Sequence, residues 1–355
     1  MWTVNLRSFM KTTNEKLVGR WLMLGVFMLI IQVLLGGITR LTGSGLSITE
    51  WKPIIGVIPP LNEAQWQIAF EKYQQIAQYK FLNTDFTLSD FKFIFFWEWF
   101  HRNWAHFIAV AFLIPFVYFL RHKMLTRDMA PKLIGLFLLG VGQGFIGKIM
   151  VDSGLNDENL YVNHIRLAIH FISAMILIAV TYWFALGKIV DSRERQHQPG
   201  LQRFSFIILL LLMVQLTYGA FMAGLKAATV APTWPSINGD YLPSSVFSQS
   251  LLHHPMNIHF IHRTLAYLIL VFIIVWSIKA YRLNSSTLFN RYKLLPIALV
   301  ILQVTLGILT ILWSIHVARN SFGPFEWVAQ LHQVVAILLT LVMLWTVFML
   351  QLERK

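Results

Sequence analysis

A chain of 355 residues that is 56% hydrophobic and 13% charged, with a mean hydropathy of +0.60, carries more apolar surface than a soluble core can hide, and falls among polytopic membrane proteins. The net charge of +13 would point to nucleic acid in a soluble protein, but here the charges sit in short loops between apolar runs. Cysteine is absent, which excludes disulfides, thiolate metal sites and Cys nucleophiles, so any metal is held by His, carboxylate or Met.

The first 20 residues carry Arg7, Lys11, Lys16 and Arg20, and the apolar run behind them is too long for a signal-peptide core, so it reads as a retained first span. Eight runs reach the roughly 20 residues that a helix needs to cross a hydrocarbon core. They lie near 19–38, 95–120, 132–151, 164–187, 204–225, 257–281, 294–316 and 327–350. An even number puts both termini on one side. That side holds 18 basic and 5 acidic residues, the other 11 of each, so the whole net charge lies on one face. By the positive-inside rule this face is cytoplasmic, the basic pI reflects topology, and nucleic acid drops out. A bacterial inner membrane is the expected location.

The two longest loops, about 39–94 and 226–256, are then external. The first opens with Gly36-Gly37-Ile38-Thr39-Arg40-Leu41-Thr42-Gly43-Ser44-Gly45-Leu46-Ser47, a stretch suited to a flexible turn or to close approach of backbone to a ligand. Further on, Trp66, Ala69, Phe70, Tyr73, Ile76 and Ala77 follow helical spacing after Asn62, a suitable N-cap, and predict a helix lying on the outer membrane surface or lidding the bundle.

Every odd-numbered span carries a glutamine followed four residues later by glycine: Gln32/Gly36, Gln143/Gly147, Gln215/Gly219 and Gln303/Gly307. The pattern reads as membrane helix packing, with glycine allowing close approach and glutamine bonding across the interface. It also marks register. Gln143 to Gln303 is 160 residues, His101 to His262 is 161 and His170 to His332 is 162. Gln32 to Gln215 is 183, an excess of about 22 residues that lies in the first external loop. The expected fold is therefore an all-α polytopic membrane protein of eight transmembrane helices, arranged as two tandem pseudo-symmetric four-helix bundles over 1–190 and 191–355.

Of the twelve histidines the repeat selects His101 and His170 in the first half, His262 and His332 in the second. Each lies a few residues in from the outer end of an even-numbered span, so each half offers two imidazoles at matching depth, the arrangement that clamps a planar iron macrocycle from both faces. His106, His164, His253, His254, His259 and His316 do not recur in register and read as local or interfacial. Arg102 and Arg263 follow the ligand candidates directly, where a guanidinium can pair with a propionate or snorkel to the interface. Glu98 aligns with His259, again 161 residues on, so only the first half sets a carboxylate beside its histidine. That asymmetry points to one bundle for chemistry and one for electrons.

Taken together, GGITRLTGSGLS, Trp51-Lys52-Pro53, Pro59-Pro60, the FKFIFFWEWFHR stretch around Glu98 and Thr233-Trp234-Pro235 resemble the heme A synthase family of cytochrome oxidase assembly over about 17–350. The resemblance implies oxidation of a ring methyl of heme O to the formyl of heme A by successive hydroxylations. It implies Glu98 as the catalytic carboxylate, His101 and His170 as ligands of the substrate heme, and His262 and His332 as ligands of a heme b cofactor. Arg40, Arg102 and Arg263 become candidate propionate partners. Heme O synthase and other assembly factors are the implied partners, and a homo-oligomer is compatible. Some members carry a cysteine pair in the first external loop, whereas this chain has none. The alternatives are a non-catalytic di-heme electron carrier or quinone oxidoreductase, in which Glu98 is structural or relays protons, and a two-bundle transporter, which leaves the matched histidines unexplained.

Overall fold

The computed structural model describes residues 2–52, 55–318 and 321–351; Pro53 of the Trp51-Lys52-Pro53 motif and the side chains of Arg7 and Lys11 lie outside the described residues. Among them are eight helices long and apolar enough to cross a membrane. They are α1 (Trp2–Leu41), α2 (Leu88–Arg121), α3 (Met129–Asp152), α4 (His164–Ile189), α5 (Pro199–Gly224), α6 (Pro255–Tyr281), α7 (Leu295–Leu312) and α8 (Pro324–Met349). The fold is all-α, as expected. Two boundaries differ from the hydropathy reading for local reasons. Helix α2 starts at Leu88 because Thr87 and Asp90 form a capping box that satisfies the first-turn amides in water. Helix α7 ends at Leu312, where Trp313 to His316 turn back.

Helix α1 packs on α2 and α4, α3 on α4, and α2 on α3; α5 packs on α6 and α8, α7 on α8, and α6 on α7. The two groups meet through α4 with α5, α1 with α8, and α4 with α8. Val26, Val33, Met175, Ile178, Leu216, Ile337 and Leu341 fill this seam. Of the apolar window of α8, 61% is buried, against 6% for α2 and for α3, so α8 is central while α2 and α3 turn most of their surface outward. Within a bilayer such contacts are held by close packing and interhelical hydrogen bonds rather than by exclusion of water.

The predicted surface helix forms at Glu63–Tyr73, capped by the Asn62 side chain, which accepts from the amide of Gln65 at 3.0 Å. It seats Phe70 and Tyr73 against Phe91 and Phe95 at the outer end of α2. Phe70, Tyr73, Phe91 and Phe95 are all buried there, and burying such a side chain away from water contributes about 1.5–3 kcal/mol. Burial pushes the Tyr73 phenol up to about 12.

The glycine and hydroxyl stretch is no flexible turn. Gly36 and Gly37 are helical, and only Gly43 needs the left-handed region, with φ of +68°. Beyond it Ser44 and Ser47 are buried, the Thr42 and Ser44 hydroxyls lie 2.6 Å apart, and the Ser44 amide donates to the Thr39 carbonyl at 2.8 Å. The turn is tied down because its next residues serve the site below it.

Candidate active site

The glutamine and glycine of each odd-numbered helix are aimed at the histidine of the following even-numbered helix. Gln32 Nε2 donates to the His101 carbonyl at 3.1 Å, Gln143 Nε2 to that of His170 at 2.7 Å, and Gln215 Nε2 to that of His262 at 3.0 Å. In the fourth instance Gln303 Nε2 lies 3.3 Å from His332 Nε2, while His332 Nδ1 lies 3.0 Å from the Gln303 carbonyl. A carbonyl only accepts, so Nδ1 carries the hydrogen and Nε2 is the basic nitrogen, facing the Gln303 amide. A methyl built on Gly36, Gly147, Gly219 or Gly307 would lie 3.2, 2.9, 3.3 or 3.0 Å from the corresponding imidazole. Absence of a side chain is what gives each ring its place.

Glu98 lies one helical turn before His101 and is 2% exposed. Its Oε2 accepts from the Ser47 hydroxyl and the Ile48 amide, both at 2.7 Å, and its Oε1 is paired with Arg102. Every partner is a donor, a set complementary to a carboxylate. Its register mate His259 is fully buried, and neither ring nitrogen has a partner.

One cavity of about 1630 Å³ is lined by Glu98 and by all four register histidines. The His262 and His332 rings are 6.5 Å apart between centroids, which leaves room for a single metal ion bonded from both sides when each metal–imidazole bond is about 2 Å. Among the described residues no group of three or more His, Asp or Glu is placed to hold a bare metal ion. Paired imidazoles in a large apolar cavity therefore suit an iron that brings its own equatorial ligands, as in a porphyrin.

A family model described as cytochrome oxidase assembly protein, COX15-CtaA, matches residues 19–350. The chain is 39% identical to a heme A synthase of Rhodospirillum centenum over 342 residues, covering 95% of this chain and 89% of that one. It is 40% identical over 306 residues to a heme A synthase of Brucella suis, with 85% of each chain covered, and 40% identical over 314 residues to one of Brucella anthropi, with 87% of each. The chain belongs to the COX15-CtaA family of cytochrome oxidase assembly proteins.

In this COX15-CtaA chain the arginines that follow the histidines also hold the loops above them. Arg102 donates to the carbonyls of Ile48 at 3.1 Å and Glu50 at 3.4 Å in the loop between α1 and α2. Arg263 donates to those of Thr233 at 2.6 Å and Ser236 at 3.1 Å in the loop between α5 and α6. Arg40 lines the cavity and donates to the Ala223 carbonyl at 3.2 Å. At the mouth Glu50 sits between Lys52, 2.6 Å away, and Lys72, 2.5 Å away, and these lysines hold its carboxyl below the usual range. Of the remaining histidines, His164 at the start of α4 packs edge-on with His253 and lies 2.9 Å from the Leu252 carbonyl in the loop between α5 and α6.

Sequence reasoning passed over two features of the COX15-CtaA site. Ser47 and Ile48 hold Glu98 although they lie about 50 residues away, and no local pattern signals that contact. The glutamines and glycines carried a signal, their fixed recurrence, but not the direction in which they point.

Proposed function

We propose that the chain is a heme A synthase that oxidises a ring methyl of heme O to the formyl of heme A through successive hydroxylations. The observation that carries this reading is the pairing, in a chain about 40% identical to heme A synthases, of two histidine pairs in one cavity with a single donor-bound carboxylate beside one of them. His101 and His170 flank the substrate heme, and His262 and His332 hold a resident heme b. The bound hemes supply the iron redox chemistry. Glu98 favours positive charge developing at the methyl carbon under oxidation and accepts the proton it releases, in an apolar setting that magnifies a fixed charge. Ser47, Ile48 and Arg102 keep the carboxylate from turning away. Arg40, Arg102 and Arg263 supply positive charge for the propionates at the outer end.

On this reading residues 1–190 form the catalytic half and 191–355 the cofactor half, related as tandem copies. Both termini are cytoplasmic, the heme sites lie toward the external side of a bacterial inner membrane, and heme O synthase and other oxidase assembly factors are the partners. The test is pigment extraction from cells expressing the chain together with a heme O synthase. Heme A should appear, and Glu98→Gln should lower its yield by about 100-fold or more, the scale of removing a preorganised electrostatic group. The low-spin heme absorbance of the purified variant should stay at the unsubstituted level. Heme O accumulating without heme A in cells that express the intact chain would remove the assignment.

A further inference from the structure

The cavity is not closed equally in the two groups of helices. The 160-residue offset that aligns Gln143 with Gln303 sets Gly140 against Val300 and Gly144 against Val304. The 161-residue offset that aligns His101 with His262 sets Ile108 against Ile269 and Ala109 against Leu270. Val300 and Ile269 line the cavity as well, but each is only 2% exposed, so the cavity does not reach the surface at their level. Gly140 and Gly144 are exposed on the outer surface of α3 and nevertheless line the cavity. Their neighbours Val141 and Phe145, 43% and 60% exposed, line it too, as do the exposed Ala105 and His106 across the seam on α2. Helices α2 and α3 make the sparsest contact among neighbouring helices of the first group.

These glycines are not packing glycines. A methyl built on Gly19 of α1, which does pack against a helix, would meet Ile189 and Lys188 at 2.8 Å, whereas one built on Gly140 or Gly144 meets no atom within 4 Å. Because these exposed glycines line the same cavity as His101 and His170, that cavity reaches the helix surface between α2 and α3. The outer end of the same cavity is roofed by the first external loop, so an apolar macrocycle arriving by water would have to part a hydrogen-bonded turn, while one arriving from lipid leaves no apolar surface to be hydrated.

We infer that Gly140 and Gly144 of α3, with Ala105 and Ala109 of α2, frame a lateral portal through which heme O passes between the bilayer and the His101/His170 site. Val300 and Val304 close the equivalent seam and retain the heme of the second half. The inference rests on the heme A synthase reading and adds to it the route and the residues that set it.

The full chain, purified with its resident heme and reconstituted in lipid vesicles, is mixed with donor vesicles containing heme O, and the change in Soret absorbance reports uptake. Gly140→Val with Gly144→Val should slow uptake by roughly tenfold or more, a rise of ~1.4 kcal/mol in the barrier per tenfold. Resident heme per chain should not change, and the single alanine variants should fall between. Conversely, Val300→Gly with Val304→Gly should speed loss of the resident heme to an added apoglobin several-fold. Uptake by the double valine variant at the unsubstituted rate, with resident heme retained, overturns the portal alone. An unsubstituted chain that takes up no heme O overturns the function on which the portal rests. If the double valine variant loses its resident heme, the alanine variants decide: graded slowing supports the portal, and unchanged uptake overturns it.

Discussion

At the scale of residues, the site is built by pairs of unlike partners, an imidazole and the hydrogen atom that stands where its neighbour would have a side chain. Gly147 clears space for His170 and Gly307 for His332, and a methyl at either would approach the ring to 2.9 or 3.0 Å. A valine there overpacks by about 1–3 kcal/mol, which displaces a ring before it unfolds a helix. Gly307→Val should therefore deplete the resident low-spin heme, whereas Gly147→Val should leave that heme intact and abolish the Soret change on adding heme O. Absorbance per chain separates the two, and equal loss of resident heme in both would contradict the assignment of one histidine pair to each heme. Much of this was open to reading in advance. The histidines announced themselves by register, and the glutamine–glycine pairs by their recurrence. Their purpose was hidden because helix packing and ring positioning draw on the same residue types, and only the facing helix tells them apart.

At the scale of elements, the first external loop and the helix Glu63–Tyr73 form a cover tied to α2 by aromatic packing and to itself by charge. Helical spacing and the Asn62 cap predict the surface helix, because both are local. The burial of Ser44 and Ser47 escapes prediction, since it depends on α2 passing beneath them. Glu50 joins the segment at Trp51 to the surface helix through Lys52 and Lys72. Its folded pKa lies below its ordinary value of 4.5. The tie therefore acts above that value and is lost as pH falls through the lower folded one, since protonation removes the charge that both lysines bind. Protease nicking of the first external loop in reconstituted vesicles should rise as pH drops below 4.5. Glu50→Gln should show the acid pattern already at neutral pH, and indifference of the variant would assign the cover's order to aromatic packing alone. The pair is half exposed, so the effect is local rather than global.

At the scale of the whole molecule, two groups of four helices share one cavity and one seam. The offsets of 160, 161 and 162 residues predict eight spans in two similar sets of four, because a repeat preserves spacing. They do not anticipate the common cavity, since spacing along a chain says nothing of how closely two copies dock. Docking is specified in part by Gln330 and Gln333 of α8, whose Nε2 atoms donate at 3.2 Å to the carbonyls of Leu34 and Val33 on α1, where Gly37 leaves space for them. Each such bond in a membrane is worth about 0.6 kcal/mol, up to about 1.7. Replacing both glutamines by leucine should lower stability by ~1–3 kcal/mol in denaturant titration of the reconstituted protein. Signals from the two halves should fall together, and separate transitions would show that the halves fold independently of the seam.

The hold on Glu98 carries a consequence beyond the cavity. Two of its three anchors, the Ser47 hydroxyl and the Ile48 amide, belong to the segment that follows α1, and the third, Arg102, grips the same segment through the Ile48 and Glu50 carbonyls. The carboxylate is thus held by the loop that joins α1 to the surface helix as firmly as by its own helix. Any shift of that segment moves donors on both carboxylate oxygens at once, so the orientation of Glu98 and the order of the segment beside the cavity rise and fall together.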